Sequence, residues 1–159
     1  MLALLTVAAL AQPCTVTVYS YQTPGRLPAK AHTWAVFSRG GESVCISWMP
    51  AGNTRLLTHP QPGVNWTHAA TLAYARQLGA RVKRWGPYRA RSALFDAARQ
   101  QAARLAGGQV LYAELDALRR GGSNCVHAAA SPAGPLPRPL LYGFAAGQAV
   151  ARHFRPFLE

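Results

Sequence analysis

Two β-forming runs, Ala31-His32-Thr33-Trp34-Ala35-Val36-Phe37 and Ser43-Val44-Cys45-Ile46-Ser47-Trp48, flank the tetrapeptide Arg39-Gly40-Gly41-Glu42. No other feature constrains the fold as much. A glycine pair between two such runs suits a tight hairpin turn, and the register of a hairpin decides which side chains share a face. With Arg39 opposite Glu42, Trp34 faces Ser47 and His32 faces Met49, which makes His32 and Ser47 diagonal neighbours on one face.

The other elements follow from pattern. Thr15 to Tyr21 alternates with β-formers and predicts a strand, and Leu56-Leu57-Thr58 a further short one. Thr67 to Leu78, stopped by Gly79, reads as a helix. Arg81 to Trp85 reads as an edge strand ended by Gly86-Pro87. A second helix starts at Ser92 as N-cap, carries Leu94, Phe95, Ala98, Ala102 and Leu105 on one stripe, and ends at Gly107-Gly108. Gln109 to Glu114 is a strand or an irregular crossover, Ser131 to Pro139 a loop, and Phe144 to Phe154 a last helix. No internal repeat is present. The expected fold class is α+β, a small antiparallel sheet packed against helices, forming one domain over residues 12–159. A chain of 159 residues can bury a core of its own without disulfides.

The apolar opening Met1-Leu2-Ala3-Leu4-Leu5-Thr6-Val7-Ala8-Ala9-Leu10-Ala11 ends in a small-x-small pattern and reads as a signal peptide, too short to span a bilayer. Export to the periplasm or medium of a bacterium is the expectation. Pro13 stands where a lipobox before Cys14 would need a small residue. Of three cysteines, Cys14 and Cys45 lie in β-like segments and are the pair that an oxidising compartment would join, leaving Cys125 as the odd thiol. Lys and Arg number 17 against 5 Asp and Glu, and all the cations but Lys30 and Lys83 are arginine. This excess favours anionic partners, a wall polymer or a membrane surface, unless it is compositional drift on a solvated face. No phosphate loop or dinucleotide fingerprint is present and no specific nucleic acid is expected. The ligand spacing supports no closed metal cluster, and no cofactor is expected. The four tryptophans, Trp34, Trp48, Trp66 and Trp85, are expected in the core or in the wall of a cleft.

Cys125 follows Gly121-Gly122-Ser123-Asn124 and opens the helix-compatible run Val126-His127-Ala128-Ala129-Ala130. A thiol becomes a nucleophile when its pKa falls, and a helix N-terminus beside a histidine lowers it. His32 is the best of five histidines for that partner, since it starts an otherwise apolar strand. A satisfied core histidine is the competing reading. Ser47 is the residue expected to orient the imidazole, with Glu42 and His59 as alternatives. His127, two residues beyond Cys125, points to another side of the helix and reads as structural or rim-lining.

The order of His32-Thr33-Trp34-Ala35-Val36 and then a distant Asn124-Cys125-Val126-His127 resembles the circularly permuted NlpC-type papain-like superfamily. Lecithin:retinol acyltransferase-like proteins, with an Asn-Cys-Glu-His-Phe motif before an Arg-Tyr-Gly segment, belong to it; here Asn124-Cys125-Val126-His127-Ala128 precedes Leu141-Tyr142-Gly143. Ile46-Ser47-Trp48-Met49-Pro50 and Trp85-Gly86-Pro87-Tyr88 also resemble segments of bacterial proteins of similar length. Val126 and Ala128 depart from the acyltransferase motif. The resemblance implies a permuted papain-like catalytic domain and a thiol hydrolase or acyltransferase. Catalytic Cys125, His32 and Ser47 would act on a peptide amide or an acyl ester through a thioester. A non-enzymatic basic module on an anionic surface is the alternative.

Overall fold

The computed structural model describes residues 12–25, 30–52, 59–113, 122–136 and 143–159. The apolar opening segment, the expected strand at Leu56-Leu57-Thr58 and residues 137–139 of the Pro-rich loop lie outside the described residues. The elements run β1 (Cys14–Gln22), β2 (Ala31–Arg39), β3 (Glu42–Ile46), β4 (Trp48–Pro50), β5 (Gly63–Asn65), α1 (His68–Gln77), β6 (Arg81–Ala90), α2 (Ser92–Ala106), β7 (Leu111–Tyr112), β8 (Gly122–Ser123), α3 (Cys125–Ala130) and α4 (Gly143–His153). The fold is α+β. Its main sheet has four antiparallel strands in the order β3-β2-β1-β6.

The β2–β3 hairpin has Arg39 opposite Glu42 and Val36 opposite Cys45, the register that the glycine pair predicts. Gly40 and Gly41 take φ of 58° and 85°, the left-handed region where side chains with a Cβ are disfavoured. Strict alternation then sorts the side chains onto two faces. On one, Cys14, Val16, Val18, Ala35, Phe37 and Ile46 join residues of α2, α3 and α4 in the main core. On the other, Tyr21 and Trp34 meet Ala75 of α1 in a smaller core, with Tyr19, Val36 and Cys45 packed against it.

Three sequence expectations need correction. Cys14 and Cys45 are not joined by a disulfide. Cys14 belongs to the main core and Cys45 packs against the small one, so the sheet, with β2 between their strands, keeps the expected pair apart. Ser92 is the first helical residue of α2 and Arg91 is the cap. The Ser92 hydroxyl instead accepts from Arg39 Nη1 at 2.7 Å, beside the Arg39–Asp96 ion pair at 2.8 Å. Finally, Gly86-Pro87 does not end β6. The ladder shifts register so that Trp85 faces Val18 and Tyr88 faces Val16, and a bulge absorbs both residues. Gly86 has φ of 98°, and a Cβ there would fall 2.7 Å from the Val16 carbonyl oxygen. β6 is nonetheless the edge strand expected.

Candidate functional site

His32 is the second residue of β2, on the face that looks toward α1. Its Nε2 lies 2.8 Å from Ser47 Oγ. Ser47 Oγ lies 2.8 Å from Thr71 Oγ1 in α1, and the Thr71 hydroxyl donates to the Thr67 carbonyl at 2.9 Å. Asn65 fixes Ser47 at the junction of β3 and β4. Its Oδ1 accepts from Ser47 N at 2.7 Å and its Nδ2 donates to the Cys45 carbonyl at 2.9 Å. The imidazole stacks near Trp34 at 5.8 Å between centroids and tilts against Tyr21 at 5.7 Å. His32 is 3% exposed, and burial alone pushes its pKa down to about 3. The ring is therefore neutral across the physiological range, with the Ser47 hydroxyl as the hydrogen-bond partner of Nε2.

The same face holds a second polar aromatic contact. Trp34 Nε1 donates to His68 Nδ1 at 2.9 Å, which fixes the His68 tautomer with its proton on Nε2. Tyr19 stacks on Trp34 at 5.2 Å. Outside this layer, Trp66, Thr67, Ala70, Ala73, Tyr74 and Gln77 line an open groove of about 500 Å³ along α1. Trp66 meets Tyr74 edge-on there, at 5.3 Å.

Cys125 is the first residue of α3, half-buried against the main core. Asn124 caps this helix. Its Oδ1 accepts from the backbone N–H of His127 at 3.0 Å and from His127 Nδ1 at 2.9 Å. Because an amide oxygen only accepts, Nδ1 of His127 carries the proton. His127 Nε2 and Trp48 Nε1 are buried with no hydrogen-bond partner among the described residues, and burial lowers the His127 pKa.

Of the three expected catalytic residues, His32 and Ser47 are in hydrogen-bond contact, and Cys125 stands at the start of α3, packed against the main core. The contacts of His32 are to Tyr21, Trp34 and Ser47 on the α1 side, whereas α3 packs with the main core on the other side of the sheet. Glu42, at the far end of the hairpin, pairs with Arg99 at 3.6 Å, and His59 is exposed. Thr71, Asn65 and His68 were not legible as partners. The one available signal was polar side chains at the end of β5 and on α1, the elements that come after the hairpin and β4.

The basic residues gather elsewhere. Arg81, Lys83, Arg84 and Arg89 are exposed on edge strand β6, and Arg91 follows it. Among the described residues, the three carboxylates each meet an arginine: Asp96 with Arg39, Glu159 with Arg89 at 3.2 Å, and Glu42 with Arg99. No protein-family model, no curated protein and no solved structure matches the chain. Among the described residues, no helix is long and apolar enough to cross a membrane.

Proposed function

We propose that this chain is a basic binding domain that docks on an anionic polymer or membrane surface. One observation carries the reading. The described carboxylates are all engaged, and Arg81, Lys83, Arg84 and Arg91 stand exposed along one sheet edge with no described carboxylate partner. An excess of 17 cationic over 5 acidic residues leaves the whole molecule with a long-range attraction for polyanions. The test is cosedimentation with phosphatidylglycerol vesicles and with a soluble polyanion at rising salt. Binding is expected to fall steeply once the Debye length drops below about 10 Å, and to weaken in an Arg81→Gln/Arg84→Gln/Arg91→Gln variant. Failure to bind either probe at low ionic strength overturns the reading.

A second reading, an exported thiol hydrolase or acyltransferase of the permuted papain-like kind, is favoured by Cys125 itself, which opens a capped helix and is half-buried rather than sealed. In that mechanism His32 takes the thiol proton and the thiolate attacks an amide or ester carbonyl. Water or an acceptor then releases the thioester. It requires the His32 ring to reach Cys125 from the α1 side. Iodoacetamide reactivity of Cys125 against pH is the measurement. This reading expects a profile displaced below the roughly 8.5 of a free thiol and moved upward by His32→Ala. Superimposable profiles in two folded proteins retire it.

A further inference from the structure

The bulge in β6 has a geometric result on the α4 side of the sheet. In a regular strand Trp85 and Tyr88 would point to opposite faces. With Gly86 and Pro87 looped out, Trp85 opposite Val18 and Tyr88 opposite Val16 both face α4. Trp85 is held there by close packing, since a Cβ on Gly147 of α4 would fall 2.4 Å from its ring and 2.8 Å from Ser20 Cβ. Along the facing helix and the turn that follows it, Gln148, Ala151, Arg152 and Arg155 recur at intervals of three and four, one stripe of a helical surface. With Leu158 they close a cavity of about 140 Å³ against the two aromatic rings. The Ala90–Leu158 bridge and the Glu159 N–H to Arg89 carbonyl bond at 3.1 Å tie the segment after α4 to β6 and hold the far wall. The neighbouring carboxylate, Glu159, is drawn off by Arg89. Arg152 and Arg155 join none of the described ion pairs.

We propose that this cavity between β6 and the end of α4 binds a phosphate ester, its phosphoryl oxygens met by Arg152 and Arg155 and the first atoms of its carbon body laid against Trp85 and Tyr88. The proposal rests on the reading of the chain as an anion-binding domain and names the group recognised. Two guanidinium groups supply planar, paired donors and two positive charges, the complement of a phosphate dianion. A cationic ligand is repelled, and an uncharged one leaves both charges without a counterpart. Size sets the other limit. At roughly 30 Å³ of liquid volume per water, the cavity has room for a phosphoryl group and a few attached atoms, with the rest of the ligand lying outside.

Titration calorimetry of the full chain with glycerol 1-phosphate, with glycerol, and with phosphatidylglycerol vesicles tests this. Trp85 fluorescence serves as a second readout. Glycerol 1-phosphate is expected to bind saturably and glycerol not at all. Arg152→Gln/Arg155→Gln should weaken the ester at least about tenfold, the loss that follows from removing a charged hydrogen bond. Arg104→Gln, at an exposed position of α2, should bind as wild type. An ester that does not bind, a double variant that binds as tightly as wild type, or an equal loss in Arg104→Gln overturns the pocket. The vesicles separate the sources. Vesicle binding lost together with ester binding in the double variant makes the lipid headgroup a ligand of the pocket. Vesicle binding kept when ester binding is lost assigns the pocket to soluble esters and the surface to β6. If wild type binds the ester and ignores both vesicles and polyanion, the pocket stands and the surface-docking reading falls.

Discussion

His32 illustrates how one residue type admits two roles, and burial decides between them. An imidazole sealed between Tyr21, Trp34 and Ser47 is held neutral, with its pKa near 3 against about 6.5 in the unfolded chain. Between those values the unfolded state binds the extra proton, so stability rises with pH and is lost as pH falls from about 6.5 toward 3, by up to about 1.4 kcal/mol per unit. Thermal melts from pH 7 to pH 4 should show this slope in wild type. His32→Gln, which keeps a hydrogen-bonding group near Ser47, should flatten it; an unchanged slope would mean that the ring titrates in the fold. Burial acts on two of the cysteines as well. It pushes Cys45 up to about 12 and raises Cys14, whereas Cys125, half-buried like Cys45, opens a helix. Native alkylation at neutral pH, read by peptide mapping, should label Cys125 first. At the cap of that helix, Asn124→Ala removes the acceptor of the His127 N–H. It should cost about 1 kcal/mol in urea unfolding.

At the scale of elements, the docking of α4 is set by Gly147. Alanine there would gain about 1 kcal/mol of helix propensity, but its Cβ falls within 3 Å of both the Trp85 ring and Ser20. Overpacking against a rigid indole costs about 1–3 kcal/mol. Gly147→Ala should therefore lower the melting temperature and perturb Trp85 fluorescence; a more stable variant would show that α4 has slack. The hairpin, α1 and α2 were legible in the sequence because each carries its own local signal: a glycine turn between charged ends, a Gly79 stop, an apolar stripe. What was not legible came from contacts between elements. Thr71 and Asn65 meet Ser47 from 24 and 18 residues away, and no periodicity encodes that meeting. Ser92 reads as a cap from its position alone, and Arg39 claims its hydroxyl from 53 residues away. Gly86-Pro87 breaks a regular strand, as read, but a bulge costs the ladder only those residues. Pairing Cys125 with His32 rests on chain order, and chain order by itself carries no information on which side of a sheet a side chain emerges.

For the whole molecule, the charge on β6 has a protective side as well as an attractive one. An edge strand offers unpaired backbone groups to any other strand, and charged side chains discourage that pairing. Val82, 39% exposed on this edge, sits between Arg81 and Lys83. Replacing Lys83 and Arg84 with Thr should therefore promote self-association, detected by light scattering during chromatography. A variant that stays monodisperse at high concentration would indicate that the bulge alone protects the edge. The two-sided sheet has a consequence of another kind. The main core joins three helices, while α1 rests on a layer whose fully enclosed apolar members are Tyr21, Trp34 and Ala75, riveted by the His32–Ser47–Thr71 chain. Little apolar area must be exposed to lift α1 away, so it forms a separate unit of opening. Native-state hydrogen exchange should find the amides of Leu72 to Ala75 exchanging through a local opening at low denaturant, while those of Val16, Val18 and Val150 wait for global unfolding. The molecule would then breathe on one side only, and each opening would bring His32, sealed in the resting fold, into water.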